Sequence, residues 1–305
     1  MRYGIIGTGA IGAYYGGKLA KDGQEVHFLL HSDYETVVAN GLHIHSVDGS
    51  FTLQHVNAYQ QSDDMPACDV VVVALKTTQQ HLLPQLLKPL LKPDTVVLLI
   101  QNGIGLEEDF ATMFPGVGVL GGLAFICSTK VAPGVIEHTE LGNLNIGNYN
   151  CTDENKVKAL VDELNHAGVK AAEVEYHEAR WKKAVWNMCF NGLTVALDAR
   201  TDQLVANPDT AALCHSLMSE VIEAAQACGV ATLRPSLAES MMKMTREMTP
   251  YAPSMKVDYD KRRPMELYYL YARPVAEAAR HGYDMKQARM LHALLAFKQQ
   301  AYIQD

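Results

Sequence analysis

The segment from Glu178 to Gly192, EARWKKAVWNMCFNG, sets Lys183, Asn187 and Asn191 four residues apart. On a helix this spacing stacks an ammonium and two carboxamides along one face. Trp181, Trp186 and Phe190 flank them, and polar groups buried among such neighbours are costly unless they find partners. A bound polar substrate is one such partner. The other reading puts Lys183 in solvent and ties the asparagines to loops. Lys182 falls about 100° away around the helix and is expected to face water.

A second block, SMKVDYDKRRPME, runs from Ser254 to Glu266. Pro264 suits the first turn of a helix, which would put the Glu266 carboxylate in the same turn, where its charge favours the dipole. Ser254 reads as a helix cap, and Asp258 with Arg263 as an ion pair organising the loop. These readings stand beside a second one, in which Ser254 and Glu266 face a ligand.

At the other end of the chain, Gly7-Thr8-Gly9-Ala10-Ile11-Gly12 joins a short apolar strand to a helical segment. In a strand–turn–helix unit the first glycine permits the turn and the second lets the backbone approach a pyrophosphate. The third allows close packing of helix on strand, and the helix start then offers N–H groups to the phosphate. A bound dinucleotide is expected here. The next strand, Val26 to Leu30, is followed by His31, Ser32 and Asp33. With no acid directly at the strand end to bind both ribose hydroxyls, His31 and Ser32 favour NADP over NAD, although Asp33 is close by. Two further strand ends carry polar groups: Lys76 after Asp69–Leu75, and Asn102 after Thr95–Ile100. The latter also reads as an Asn-Gly turn.

These residues need elements to hold them. Strand and helix signals alternate through the first half: a hairpin about Asp48-Gly49, a buried parallel strand over 69–75, a helix over 79–91 and a strand over 95–100. A β-rich stretch over 118–147 turns at Pro133-Gly134, and a helix over 153–168 precedes a strand over 169–175. From Glu178 onward amphipathic helical patterns take over, at 179–197, 206–228, 237–248, 264–281 and 285–301. The fold class expected is α/β: a Rossmann-type parallel-sheet domain over 1–176 and an all-α substrate and catalytic domain over 177–305, with ligand in the cleft between them.

The 305-residue length suits two domains. A net charge of −8 argues against nucleic-acid or anionic-membrane surfaces. The six cysteines are scattered without a CxxC pair, as expected of reduced core side chains rather than a metal site. The chain starts almost at once with its first strand and carries no apolar run of about 20 residues, so a cytoplasmic protein without leader or membrane span is expected.

Taken together, GTGAIG, ALKT with Lys76, QNG with Asn102, WxKxxxNxxxN with Lys183, Asn187 and Asn191, and SMxxD followed by Glu266 resemble the ketopantoate reductase family. The PGVIEHTELGNLNIG segment around His138, Gly142 and Gly147 extends the resemblance through nearly the whole chain. It implies an N-terminal domain that binds NADPH, with Gly7, Thr8, Gly9, Ala10, Ile11, Gly12, His31, Ser32, Lys76, Asn102 and Glu266 at the cofactor. It implies Lys183 as catalytic acid, with Glu266 beside it, and Asn102, Asn187, Asn191 and Ser254 on an α-keto acid substrate. No metal is implied, and a homodimer is left open.

The chain departs from the family pattern at His31 (commonly Arg), at Gly192 (commonly Pro), at Arg262-Arg263-Pro264-Met265 (commonly Gly-Arg-Arg-Thr) and at Tyr271-Ala272 (commonly Asn-Gly). The last is expected to alter the helix lining the cleft. Three alternatives follow: a reductase of another branched or bulky α-keto acid, a β-hydroxyacid-type dehydrogenase, or a non-catalytic NADP-binding sensor or interaction protein.

Overall fold

A computed structural model describes residues 1–250 and 252–303. They form two compact units, one of residues 1–101 and 106–176, the other of Asn102–Gly105 with the chain from His177 onward.

The first unit is built on a mixed sheet. Its strands are β1 Arg2–Ile6, β2 Glu25–Leu29, β3 Leu42–Ser46, β4 Phe51–Leu53, β5 Asn57–Tyr59, β6 Val70–Val73, β7 Val96–Leu99, β8 Gly118–Ala132, β9 Val135–Asn148 and β10 Ala171–Val174. They lie in the order β4-β3-β9-β8-β7-β6-β1-β2-β5, with β10 on β9. β5, β2, β1, β6, β7 and β8 pair parallel. The continuous apolar runs of β6 and β7 are buried throughout, as strands covered on both faces must be. Antiparallel pairing enters at β8–β9 and β3–β4, while β3 and β10 each run parallel to β9, so the sheet is mixed beyond β8. β1 lies between β2 and β6, where strand order reverses, and ligands of such sheets bind beyond the carboxyl ends at this switch point.

The helices of this unit are α1 Ala10–Lys21, α2 Tyr34–Asn40, α3 Leu83–Leu87, α4 Leu106–Met113 and α5 Glu154–His166. The single helix expected over 79–91 is instead three short pieces, with 3₁₀ turns at Thr77–Leu82 and Lys88–Leu90 on either side of α3. Pro84 and Pro89 each remove an amide from the helical ladder, which accounts for the break. α4 went unread in the sequence, although its first turn holds Glu107, Glu108 and Asp109, a helix-start signal.

The second unit is helical: α6 Tyr176–Ala196 (whose first residue belongs to the first unit), α7 Thr201–Ala206, α8 Pro208–Ala227, α9 Ser236–Glu247, α10 Ser254–Asp260, α11 Arg273–Arg280 and α12 Lys286–Gln300. Its core gathers Trp181, Val185, Met188, Phe190, Leu217, Val221, Met242, Leu270 and Leu291. Two expectations are corrected. The stretch around Asp258, expected as a loop, is part of α10. The helix expected from Pro264 begins only at Leu267, and a π-turn over Tyr268–Ala272 leads directly into α11. Glu266 therefore precedes the first helical turn. The backbone reaches this point after Arg262 takes a left-handed φ of 52° and the Met265 amide donates to Gln299 Oε1 at 2.7 Å. Among the described residues no helix is long and apolar enough to cross a membrane.

Candidate active site

In the first unit the glycine run lies between β1 and α1 as its spacing requires. Gly7 has φ +97°, and a β-carbon there would lie 2.5 Å from the Leu75 amide nitrogen. A β-carbon on Gly12 would lie 2.3 Å from the Gly7 carbonyl oxygen, so helix and strand touch at that point. Around Gly9 the opposite holds: its β-carbon would meet no protein atom within 4 Å. Gly9 is extended, caps α1 without a side chain, and no acidic residue stands in the first turn with Ala10, Ile11 and Gly12. The result is an open helix N-terminus without a competing carboxylate, a shape that fits a phosphate. Thr8 anchors the loop by donating its hydroxyl to the Leu29 carbonyl at 2.8 Å.

Beyond β2, His31 and Ser32 are exposed while Asp33 is buried. The Asp33 carboxylate accepts from Lys130 Nζ at 2.8 and 2.9 Å, from the Gly134 amide at 3.1 Å and from the Ser32 hydroxyl at 2.8 Å. Burial disfavours its charge, but these partners outweigh it and hold the carboxyl below its ordinary range. The first acid in the chain after β2 is thus committed to the β8–β9 turn. Lys76 is exposed just past β6. Gln101 ties the ends of β6 and β7 together, donating to the Leu75 carbonyl at 3.0 Å and to Gln80 Oε1 at 2.9 Å.

The second unit brings together the residues read from the helical half. Lys183 is half-buried on α6, Asn187 and Asn191 are buried one and two turns on, and Lys182 is exposed. Desolvation pushes the Lys183 ammonium down to about 7; Arg180 on the same helix adds repulsion, and Glu266 opposes both by attraction. Glu266, just 6% exposed, is therefore an electrostatic neighbour of the lysine. Asn191 Oδ1 accepts the Met255 amide at 3.1 Å and lies 3.5 Å from the Ser254 hydroxyl. It does the work of a cap for α10, whose own preceding residue, Pro253, has no capping side chain. Ser254 is the first residue of α10 rather than its cap. Asp258 and Arg263 form the ion pair expected of them, at 2.8 Å, and the Arg263 amide also donates to the Asp258 carbonyl at 2.8 Å.

Asn102 also falls in this unit, within the short Asn102–Gly105 segment. Gly103 takes φ +126°, and a β-carbon there would lie 2.5 Å from the Tyr269 carbonyl oxygen. The glycine of the Asn-Gly pair is thus required by close approach to the helix after Glu266 as well as by its turn. Gly7 to Gly12, His31, Ser32 and Lys76 remain in the first unit.

Sequence reasoning missed Arg180, which is 3% exposed. Its position three residues before Lys183 was the available signal, since residues three apart share a helix face.

Residues 3–150 match the family model described as ketopantoate reductase PanE/ApbA, and residues 175–299 match its C-terminal companion. A 2-dehydropantoate 2-reductase of Nostoc sp. is 45% identical over 302 residues, covering 97% of this chain and 94% of the relative. The crystal structure of 2-dehydropantoate 2-reductase from Geobacter metallireducens superposes with a TM-score of 0.94 at 36% identity, covering 97% of this chain and 99% of that one. The ternary structure of D-mandelate dehydrogenase with NADH and anilino(oxo)acetate has a TM-score of 0.89 at 22% identity, covering 99% of both chains; at that identity the likeness is one of fold. With both halves matched and a relative of this similarity spanning nearly its full length, the chain belongs to the ketopantoate reductase PanE/ApbA family.

Proposed function

We propose that this chain catalyses the NADPH-dependent reduction of 2-dehydropantoate to pantoate, the first unit binding the dinucleotide and the second the keto acid. Family membership supports the reaction class. The observation that carries the site assignment is Lys183, half-buried beside Arg180 and Glu266 and held near neutrality. A general acid works best when its pKa lies close to the working pH, and a solvated lysine would not meet that condition.

The open cradle at Gly9 and the acid-free start of α1 fit a pyrophosphate. Gly7, Gly9, Ala10, Ile11 and Gly12 would hold it, with Thr8 fixing their loop. The commitment of Asp33 to Lys130 leaves His31 and Ser32 to meet the ribose, which supports NADPH. Lys76, Asn102 and Glu266 complete the proposed cofactor contacts. When bound, the reduced nicotinamide supplies a hydride to the keto carbon.

Lys183 stabilises the developing alkoxide and delivers its proton to that oxygen. Glu266 holds the ammonium and accepts from a substrate hydroxyl. Asn102 and Asn187 orient polar groups of the substrate without adding charge. Ser254 donates to the carboxylate, and Asn191 contributes at the same place. A homodimer and a cytoplasmic location belong to the same proposal on the strength of the resemblance alone; sedimentation equilibrium reads the first.

The test is a steady-state assay of ketopantoate and a panel of branched and aromatic α-keto acids, each with NADPH and NADH. Ketopantoate with NADPH should give the highest kcat/KM. A higher value for another keto acid would remove ketopantoate as the substrate while leaving the reaction class intact.

A further inference from the structure

The helix after Glu266 departs from α geometry at a single place, and the departure has a use. The Arg273 amide donates to the Tyr268 carbonyl, five residues back; a regular turn would direct it to Tyr269. The next residue, Pro274, has no N–H. Neither helical donor that could serve the Tyr269 carbonyl is directed to it. Ile104 serves it instead, donating its amide at 3.0 Å from the Asn102–Gly105 segment.

The two stretches of chain meet closely enough that side chains are excluded. Gly103 lies against Tyr269, and a β-carbon on Gly105, at φ +83°, would lie 2.8 Å from Arg273 Nε. Ile104 itself is buried in the core of the helical unit. π-turns are rare and recur at functional sites, and this one links two proposed substrate contacts. Asn102 is two residues before Ile104, and Glu266 three before Tyr269.

We infer that Pro274 is a positioning residue: by withholding an amide from the Tyr269 carbonyl it makes that carbonyl the anchor for Ile104, and so fixes Asn102 relative to the helix that Glu266 precedes. The inference rests on the proposed reading that Asn102 contacts the substrate.

Pro274→Ala tests it. Alanine returns the missing amide and is the better helix former, so folding is not put at risk. Hydrogen exchange of the Ile104 amide, followed by NMR or mass spectrometry, should accelerate roughly five- to tenfold, the worth of one backbone hydrogen bond. KM for ketopantoate should rise about three- to tenfold by the same measure, and NADPH affinity should fall no further than it does in Asn102→Ala. In an Asn102→Ala background Pro274→Ala should add nothing to KM, because both changes act through one contact.

Unchanged exchange at Ile104 overturns the inference outright. So does faster exchange with a wild-type KM when Asn102→Ala is itself impaired. If Asn102→Ala leaves the kinetics intact, the assignment of Asn102 fails, and exchange at Ile104 still decides whether Pro274 sets the anchor.

Discussion

The Tyr271 hydroxyl occupies the space that a side chain at Gly192 would fill: a β-carbon on Gly192 would lie 2.3 Å from it. That hydroxyl donates to the Met188 carbonyl at 2.7 Å, and the ring is fully buried. Burial also pushes its pKa well above the ordinary value. Two departures from the family pattern, glycine for proline on α6 and tyrosine for asparagine in the π-turn, are therefore one accommodation. Tyr271 is a core residue of the helical unit, so it offers no ground for expecting a bulkier keto acid.

Gly192→Ala should accordingly destabilise the protein by about 1–3 kcal/mol through overpacking. Tyr271→Phe should cost about 0.5–1.5 kcal/mol for the lost hydrogen bond. Removing the hydroxyl relieves one of the two closest contacts of the methyl, the other being Leu291 Cδ2 at 2.5 Å, so the double variant should be more stable than the sum of the two predicts. Denaturant melts of the four proteins measure the coupling. Strict additivity would mean that the two positions do not share the space, and altered keto-acid preference in Tyr271→Phe would return Tyr271 to the pocket wall.

Lys183 yields a prediction in pH. Its protonated form is the proposed acid and is lost as pH rises through about 7, so kcat for reduction should fall on the alkaline side of that value. Arg180→Met removes repulsion and should move the limb upward; Glu266→Gln removes attraction and should move it downward. Lys183→Ala should lower kcat by roughly 10²–10⁴-fold, whereas exposed Lys182 should tolerate alanine. A limb that stays in place in both neighbour variants would mean that another group titrates.

The elements that position these residues were legible where periodicity and punctuation agreed. The glycine run, the buried strands β6 and β7 and the face of α6 follow from spacing alone. The break in the helix over 77–90 is hidden by apolar spacing that continues through Pro84 and Pro89. The start of the helix after Glu266 was misplaced because Pro264 is a good first-turn residue that here serves a loop. What the sequence did not disclose was pairing: Asp33 with Lys130, Asn191 with Met255 and Tyr271 with Gly192 each join residues at least 60 positions apart, and no local pattern encodes such contacts.

Cofactor choice should follow residue 31. His31→Arg should raise the preference for NADPH, because a guanidinium grips the 2′-phosphate through two hydrogen bonds. His31→Asp should move it toward NADH by supplying the acid that Asp33, held by Lys130, does not. The ratio of kcat/KM for the two cofactors reads both. If neither variant changes it, the exposed end of β2 does not meet the ribose.

Asn191 separates two roles that the family resemblance merges. Its Oδ1 accepts the Met255 amide at 3.1 Å and lies 3.5 Å from the Ser254 hydroxyl, so its first effect should be on where α10 begins. Asn191→Ala leaves the Met255 amide without its acceptor in a buried setting and should cost about 0.5–2 kcal/mol, as loss of a helix cap does. Ser254→Ala gives up only the longer contact and should melt close to wild type. Both should raise KM for the keto acid, the first by displacing Ser254 and the second by removing it. In a Ser254→Ala background the further change Asn191→Ala should lower the melting temperature again but leave KM where it was, because a group acting through Ser254 has nothing left to position. Additive increases in KM would show instead that Asn191 holds the substrate with its own amide, and the capping geometry would then be a support for that contact rather than its substitute.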